Sequence, residues 1–180
     1  MNTRKIVISG LLGAVAIILG ATPLGFIPVP TPAGSATIMH IPAIIGAIIE
    51  GPVVGAFIGL VFGLYSFIRG GAFFVDPVIA ILPRLFIGIV AYLVFVPFRS
   101  RPFFGTVLAA IAGTLTNTIG VLSLAVLRGY LPNWEAAGAI ALLHGVPEII
   151  VAVVIVVLVT RVVNVTSKKP VLAKNSGNRK

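Results

Sequence analysis

The sequence has no cysteine, which excludes a disulfide framework and any cysteine-ligated metal site. Acidic residues are nearly as scarce: four Asp and Glu stand against thirteen Lys and Arg, a formal charge of +9 over 180 residues. With so few carboxylates there is no paired acidic motif, and His-Glu-x-x-His, Gly-x-Ser-x-Gly and a Gly-rich phosphate loop followed by Lys are also missing. Ser66 and His144 lack any motif that would make them a nucleophile and its base. No ATPase motif is present either, so any uphill transport draws its energy from a partner or an ion gradient. Charge of both signs is rare, at 9% of residues, where soluble domains carry about 25%. With 58% hydrophobic residues and a mean hydropathy of +1.17, the composition is that of an integral membrane protein. The positive charge does not point to nucleic acid, because the basic residues lie between apolar runs and form no patch on a soluble fold.

Crossing a bilayer takes about 20 apolar residues, and only helices or closed barrels satisfy their backbone there. The apolar runs do not alternate as barrel strands would. The expected fold is therefore all-α, with six membrane helices at about 5–22, 37–49, 52–69, 77–97, 103–128 and 137–163. The second is too short to cross squarely, and Glu50-Gly51-Pro52 separates it from the third. The run from Ile6 to Ala21 is longer than the apolar region of a signal peptide and is read as a retained first helix. Positive residues accumulate on the cytoplasmic side. With both termini inside, that side holds ten: Arg4, Lys5, Arg99, Arg101, Arg161, Lys168, Lys169, Lys174, Arg179 and Lys180. Arg69 and Arg128 are near the outer ends, and Arg84 falls within the fourth helix. Residues 1–166 form one membrane domain, and 167–180 a basic, disordered cytoplasmic tail suited to anionic lipid.

Gly51, Gly55, Gly59 and Gly63 recur every fourth residue, so one face of the third helix admits another backbone closely. Packing within the chain is the plainer reading, and a partner surface the alternative. On the first helix Ser9, Gly10, Gly13 and Ala14 make two overlapping small-residue pairs, for which a partner competes on nearly equal terms.

Ionisable groups at membrane depth are costly, which makes them functional candidates. The topology brings Arg84, Asn117 and His144 to one level facing a shared outer cavity. Arg84 offers a planar fork for a carboxylate, or it pairs internally with Glu148 or Asp76. Asn117, among the threonines of "TLTNTIG", donates and accepts, and so suits a ligand amide or hydroxyl, or an interhelical bond. His144 and Glu148 are one helical turn apart; two groups are too few for a metal site, and a hydrogen-bonded pair lining the cavity is expected. If the second helix starts at Thr37, Thr37 and His40 face the same way, His40 being either a ligand contact or a satisfied core histidine.

These features together, with "SATIMHIPAIIGAIIEGPVVGAFIGLVFGLYSF", resemble the substrate-binding S components of energy-coupling factor (ECF) vitamin transporters. The family pattern "IPxxxGxxxxGPxxGxxxGxxxG" is matched from Ile41 to Gly63, and the likeness covers roughly residues 4–163. "ATIMHIPAIIGAI", "FGLYSF" and "ILPRLFIGIVAYLV" look most like the pantothenate-type members. The resemblance implies a high-affinity vitamin-binding subunit in a bacterial or archaeal plasma membrane, without enzymatic activity or cofactor of its own. Substrate would bind at Thr37, His40, Arg84, Asn117, His144 and Glu148, beneath an uncharged external lid over residues 23–34. Gly10 and Ala14 would dock a coupling transmembrane subunit, although Gly10 stands where the family has alanine. Two cytoplasmic ATPase subunits would drive release as the protein topples in the membrane. Riboflavin, folate, hydroxymethylpyrimidine or pyridoxine remain alternative substrates, and a stand-alone small transporter or channel the alternative function.

Overall fold

A computed structural model describes residues 2–29, 35–71 and 73–166. Its helices are α1 (Thr3–Ala21), α2 (Ile41–Glu50), α3 (Pro52–Arg69), α4 (Pro77–Phe95), α5 (Pro102–Leu127) and α6 (Trp134–Thr166), with a two-stranded sheet, β1 (Phe26–Ile27) and β2 (Ala36–Thr37), between α1 and α2. Short 3₁₀ turns follow α1 and α4. Among the described residues, five helices are long and apolar enough to cross a membrane, and α2 is the short sixth. The expected basic tail, and residues 30–34 of the expected lid, lie outside the described residues.

Local chemistry sets the helix starts. The Asn2 side chain accepts from Lys5 N, Asp76 from Val78 N and Asn133 from Ala136 N, each filling an orphan donor of a first turn. Asn133 explains why α6 starts at Trp134, three residues before the expected position. The start of α2 is corrected in the opposite direction, from 37 to Ile41. Ala36 and Thr37 pair instead with β1, Phe26 opposite Thr37 and Ile27 opposite Ala36, and Ile38 N donates to Gly25 O at 3.0 Å. Pro42 then falls in the first helical turn, where its missing N–H is no loss.

Helix α2 is apolar all round and buried from Ile41 to Ile48, as a helix enclosed on every side must be. At a rise of about 1.5 Å per residue it cannot span a bilayer; it fills the middle of the bundle, where Ile44 packs with Ile58, Phe62, Ile87 and Val156. The glycine repeat of α3 is an intramolecular seam. A methyl group on Gly55 would meet Gly88, one on Gly59 the Arg84 carbonyl oxygen, and one on Gly63 the Ile81 Cα at 2.9 Å. Gly51 is different: its φ of 105° makes the turn between α2 and α3. On α1, Ser9, Gly13, Ala16 and Gly20 are buried, with Gly13 over Val61 of α3. Gly10 and Ala14 face outward.

Candidate functional site

One end of the bundle, where the α1–α2 and α3–α4 connections meet α5 and α6, encloses a cavity of about 650 Å³. That is within the usual range for small-molecule sites, about 300–1,000 Å³. Arg84, Asn117, His144, Glu148 and Thr37 all line it. Three separate helices and one strand thus bring five of the six expected substrate-binding residues together.

Arg84 owes its pose to its neighbour. Pro83, inside α4, has no N–H for the carbonyl of Ile79 one turn earlier, and Arg84 Nη1 donates to that oxygen at 2.6 Å. The guanidinium carbon lies 4.5 Å from the ring centroid of Phe74 and 5.3 Å from that of Phe62, a favourable placement for a cation. Arg84 is 2% exposed, and its Nε has no partner. Of the expected internal alternatives, Asp76 is engaged elsewhere, while Glu148 is close enough for its charge to act on Arg84 but makes its hydrogen bonds to other groups. Asp76 pairs with Arg128 at 3.4 Å. Glu148 accepts from Thr37 N at 2.6 Å and from the Thr118 hydroxyl at 3.1 Å. Among the described residues neither carboxylate forms an ion pair with Arg84.

Asn117 is 4% exposed and its Oδ1 is likewise unpartnered, so the cavity has an amide acceptor available as well as an arginine donor. His144 and Glu148 stand one turn apart on the α6 wall, both buried. His40 does not join them. With α2 starting at Ile41, the helical register that would have paired it with Thr37 does not exist; it is fully buried in the bundle, with Nε2 2.9 Å from Thr114 Oγ1. Its place ties the start of α2 to α5.

Sequence reasoning passed over one wall of the cavity. Phe62, Tyr65, Ser66 and Arg69 all line it, and their spacing of three and four puts them on a single face of α3. That spacing was the available signal. Arg69 Nη1 donates to Gly20 O at 3.2 Å, and its guanidinium sits 4.2 Å over the Phe26 ring, fastening α3 to the end of α1 and to β1. The cavity wall carries two arginines against one glutamate, with amide and hydroxyl groups between aromatic faces. Such a chamber suits a small polar anion with an apolar body.

Residues 4–160 match the family model described as ECF transporter, substrate-specific component. Over 144 residues the chain is 36% identical to the pantothenic acid transporter PanT of Lactococcus lactis subsp. cremoris, an alignment covering 66% of this chain and 72% of that protein. The structure also resembles a solved S component of a bacterial ECF transporter, with a TM-score of 0.69 at 20% identity, covering 94% of this chain and all of that one. At that identity the likeness is one of fold.

Proposed function

Since the chain belongs to the substrate-specific components of ECF transporters, a family of non-enzymatic membrane proteins, we propose that it captures pantothenate from outside the cell for import. The observation that carries this reading is Arg84, a buried arginine facing the cavity with an unpartnered Nε and no carboxylate paired to it among the described residues. A guanidinium at membrane depth pairs with a counter-charge or with carbonyls; Arg84 holds one carbonyl, and the pantothenate carboxylate supplies an anion in the planar geometry that arginine prefers. The amide and hydroxyl groups of the vitamin suit Asn117, His144 and the cavity hydroxyls, while its dimethyl segment suits the phenylalanine faces. Thr37 and Glu148 complete the wall, and His40 supports it from behind. The relative named as a pantothenic acid transporter adds to this assignment.

The chain carries no ATPase motif, so import proceeds with partners: a coupling transmembrane subunit, docked on the open face of Gly10 and Ala14, and two cytoplasmic ATPases. In this reading the start of α1 and the end of α6 face the cytoplasm, and the cavity opens outward.

Titration calorimetry on detergent-purified protein tests the reading. Pantothenate should bind one-to-one without ATP. Its neutral alcohol analogue, which lacks the carboxylate, should bind far more weakly. Arg84→Gln should weaken pantothenate by roughly 2–5 kcal/mol, the cost of truncating one member of a desolvated charge pair, and change the analogue little. Undiminished pantothenate affinity in a folded Arg84→Gln protein overturns the role given to Arg84. Absence of pantothenate binding by the wild type, with another vitamin bound tightly, overturns the substrate.

A further inference from the structure

Among the described residues, Glu148 is the one carboxylate on the cavity wall, and its hydrogen bonds are with Thr37 and Thr118. Its two oxygens join three elements: Oε1 accepts the Thr37 N–H of β2, and Oε2 the Thr118 hydroxyl of α5, while Glu148 itself belongs to α6. The direction of the Thr37 N–H follows from strand geometry. Successive residues of a strand point their N–H groups to opposite edges, and Ile38 N is taken by Gly25 O on the β1 side. The Thr37 N–H therefore points to the other edge of β2, where the described sheet has no third strand. An edge donor away from water needs a partner, and a carboxylate makes a bond roughly twice as strong as a neutral acceptor.

We propose that Glu148 is a positioning residue for vitamin retention, docking the free edge of β2 onto α6 so that this strand cannot leave the bound vitamin without breaking the bond. Thr118 aims the carboxylate by holding its second oxygen. The β1 side has its own fastening in Arg69, through Gly20 O and the Phe26 ring. Arg69 is exposed, whereas Glu148 is 3% exposed, so the Glu148 contact is the less solvated of the two fastenings. Glu148 thus acts through Thr37, while Arg84 meets the vitamin directly. The identity of the vitamin rests on the function proposed above; the docking of β2 does not.

The test has two arms, both on the full chain in detergent. In the first, with no vitamin present, amide hydrogen exchange is read at Thr37. Glu148→Ala should speed it by about tenfold or more, as losing a bond to a charged acceptor would. Glu148→Gln keeps an acceptor oxygen without the charge and should fall between wild type and Glu148→Ala, as should Thr118→Val. In the second arm, labelled pantothenate should leave Glu148→Ala about tenfold faster, with its association rate within about twofold of wild type, since such contacts act mainly on dissociation. Unchanged exchange at Thr37 in folded Glu148→Ala overturns the docking. So does vitamin release from Glu148→Gln as fast as from Glu148→Ala while its exchange at Thr37 stays at the wild-type rate, which would make the charge itself a vitamin contact. If Glu148→Ala does not fold, Thr118→Val decides: exchange at Thr37 equal to wild type overturns the proposal, and faster exchange supports it. A wild type that does not bind pantothenate refutes the substrate assignment, while the exchange arm still decides the role of Glu148.

Discussion

Pro83 and Arg84 act as a unit, since the proline leaves the Ile79 carbonyl without its helical donor and the arginine takes that oxygen. Replacing the proline should separate stability from binding. In Pro83→Ala the new N–H can close the helical bond to Ile79 O and so compete with Arg84 for its anchor. A proline in a helix interior costs about 3 kcal/mol, so the melting temperature should hold or rise even though Pro83 also packs on Gly120. Pantothenate affinity should fall by about three- to tenfold, the effect of losing one hydrogen bond that orients a charged group. Calorimetry beside a thermal melt checks both, and unaltered affinity would show that the aromatic faces alone hold the guanidinium. That Arg84, Asn117 and His144 line one cavity was legible in the sequence because helical rise converts residue number into relative height. The places of His40 and Thr37 were not. They depend on a strand that pairs with residues nine and eleven positions earlier, and no periodicity within residues 35–48 encodes that pairing.

At the scale of elements, the same residue type has opposite consequences on two helices, and substitution should expose the difference. On α3, a methyl group at Gly59 collides with the carbonyl oxygen of Arg84, which is backbone and cannot swing aside. Gly59→Ala should destabilise the protein by about 1–3 kcal/mol, as overpacking does, and should weaken vitamin binding because it displaces the helix that carries Arg84. On α1, nothing lies within 4 Å of a methyl group at Gly10, and alanine is favoured over glycine in a helix by about 1 kcal/mol. Gly10→Ala should therefore leave both melting and binding at wild-type levels or better. A Gly59→Ala protein as stable as Gly10→Ala would refute the close α3–α4 seam. The positions and number of the helices were readable from apolar runs and from breaks such as Glu50-Gly51-Pro52. The four-residue glycine spacing also signalled a packing face, but the spacing alone does not name the helix that fills it; α4 was identified by the contacts of Gly55, Gly59 and Gly63.

For the molecule as a whole, the exterior separates two tasks between its two ends. The cavity, with its arginines, sits at the end bearing the α1–α2 connection, while the ion pair of Arg4 with Glu50 at 2.7 Å fastens α1 beside the α2–α3 turn at the other. Between them α1 presents large apolar side chains outward, among them Ile6, Leu11 and Ile18, flanking the small outward face of Gly10 and Ala14. The inward face of the same helix, Ser9 and Gly13, is already used against α3. Close backbone approach is what small residues permit in a membrane, so the outward pair can serve a partner without disturbing the cavity. Replacing Gly10 and Ala14 together by leucine should then abolish pantothenate uptake by cells that carry the coupling subunit and ATPases. Binding to the purified protein should stay within about twofold of wild type, because sites this well separated are energetically independent. Loss of binding in the double variant would show that the α1 surface supports the cavity. Retained uptake with intact binding would place the docking surface on another helix.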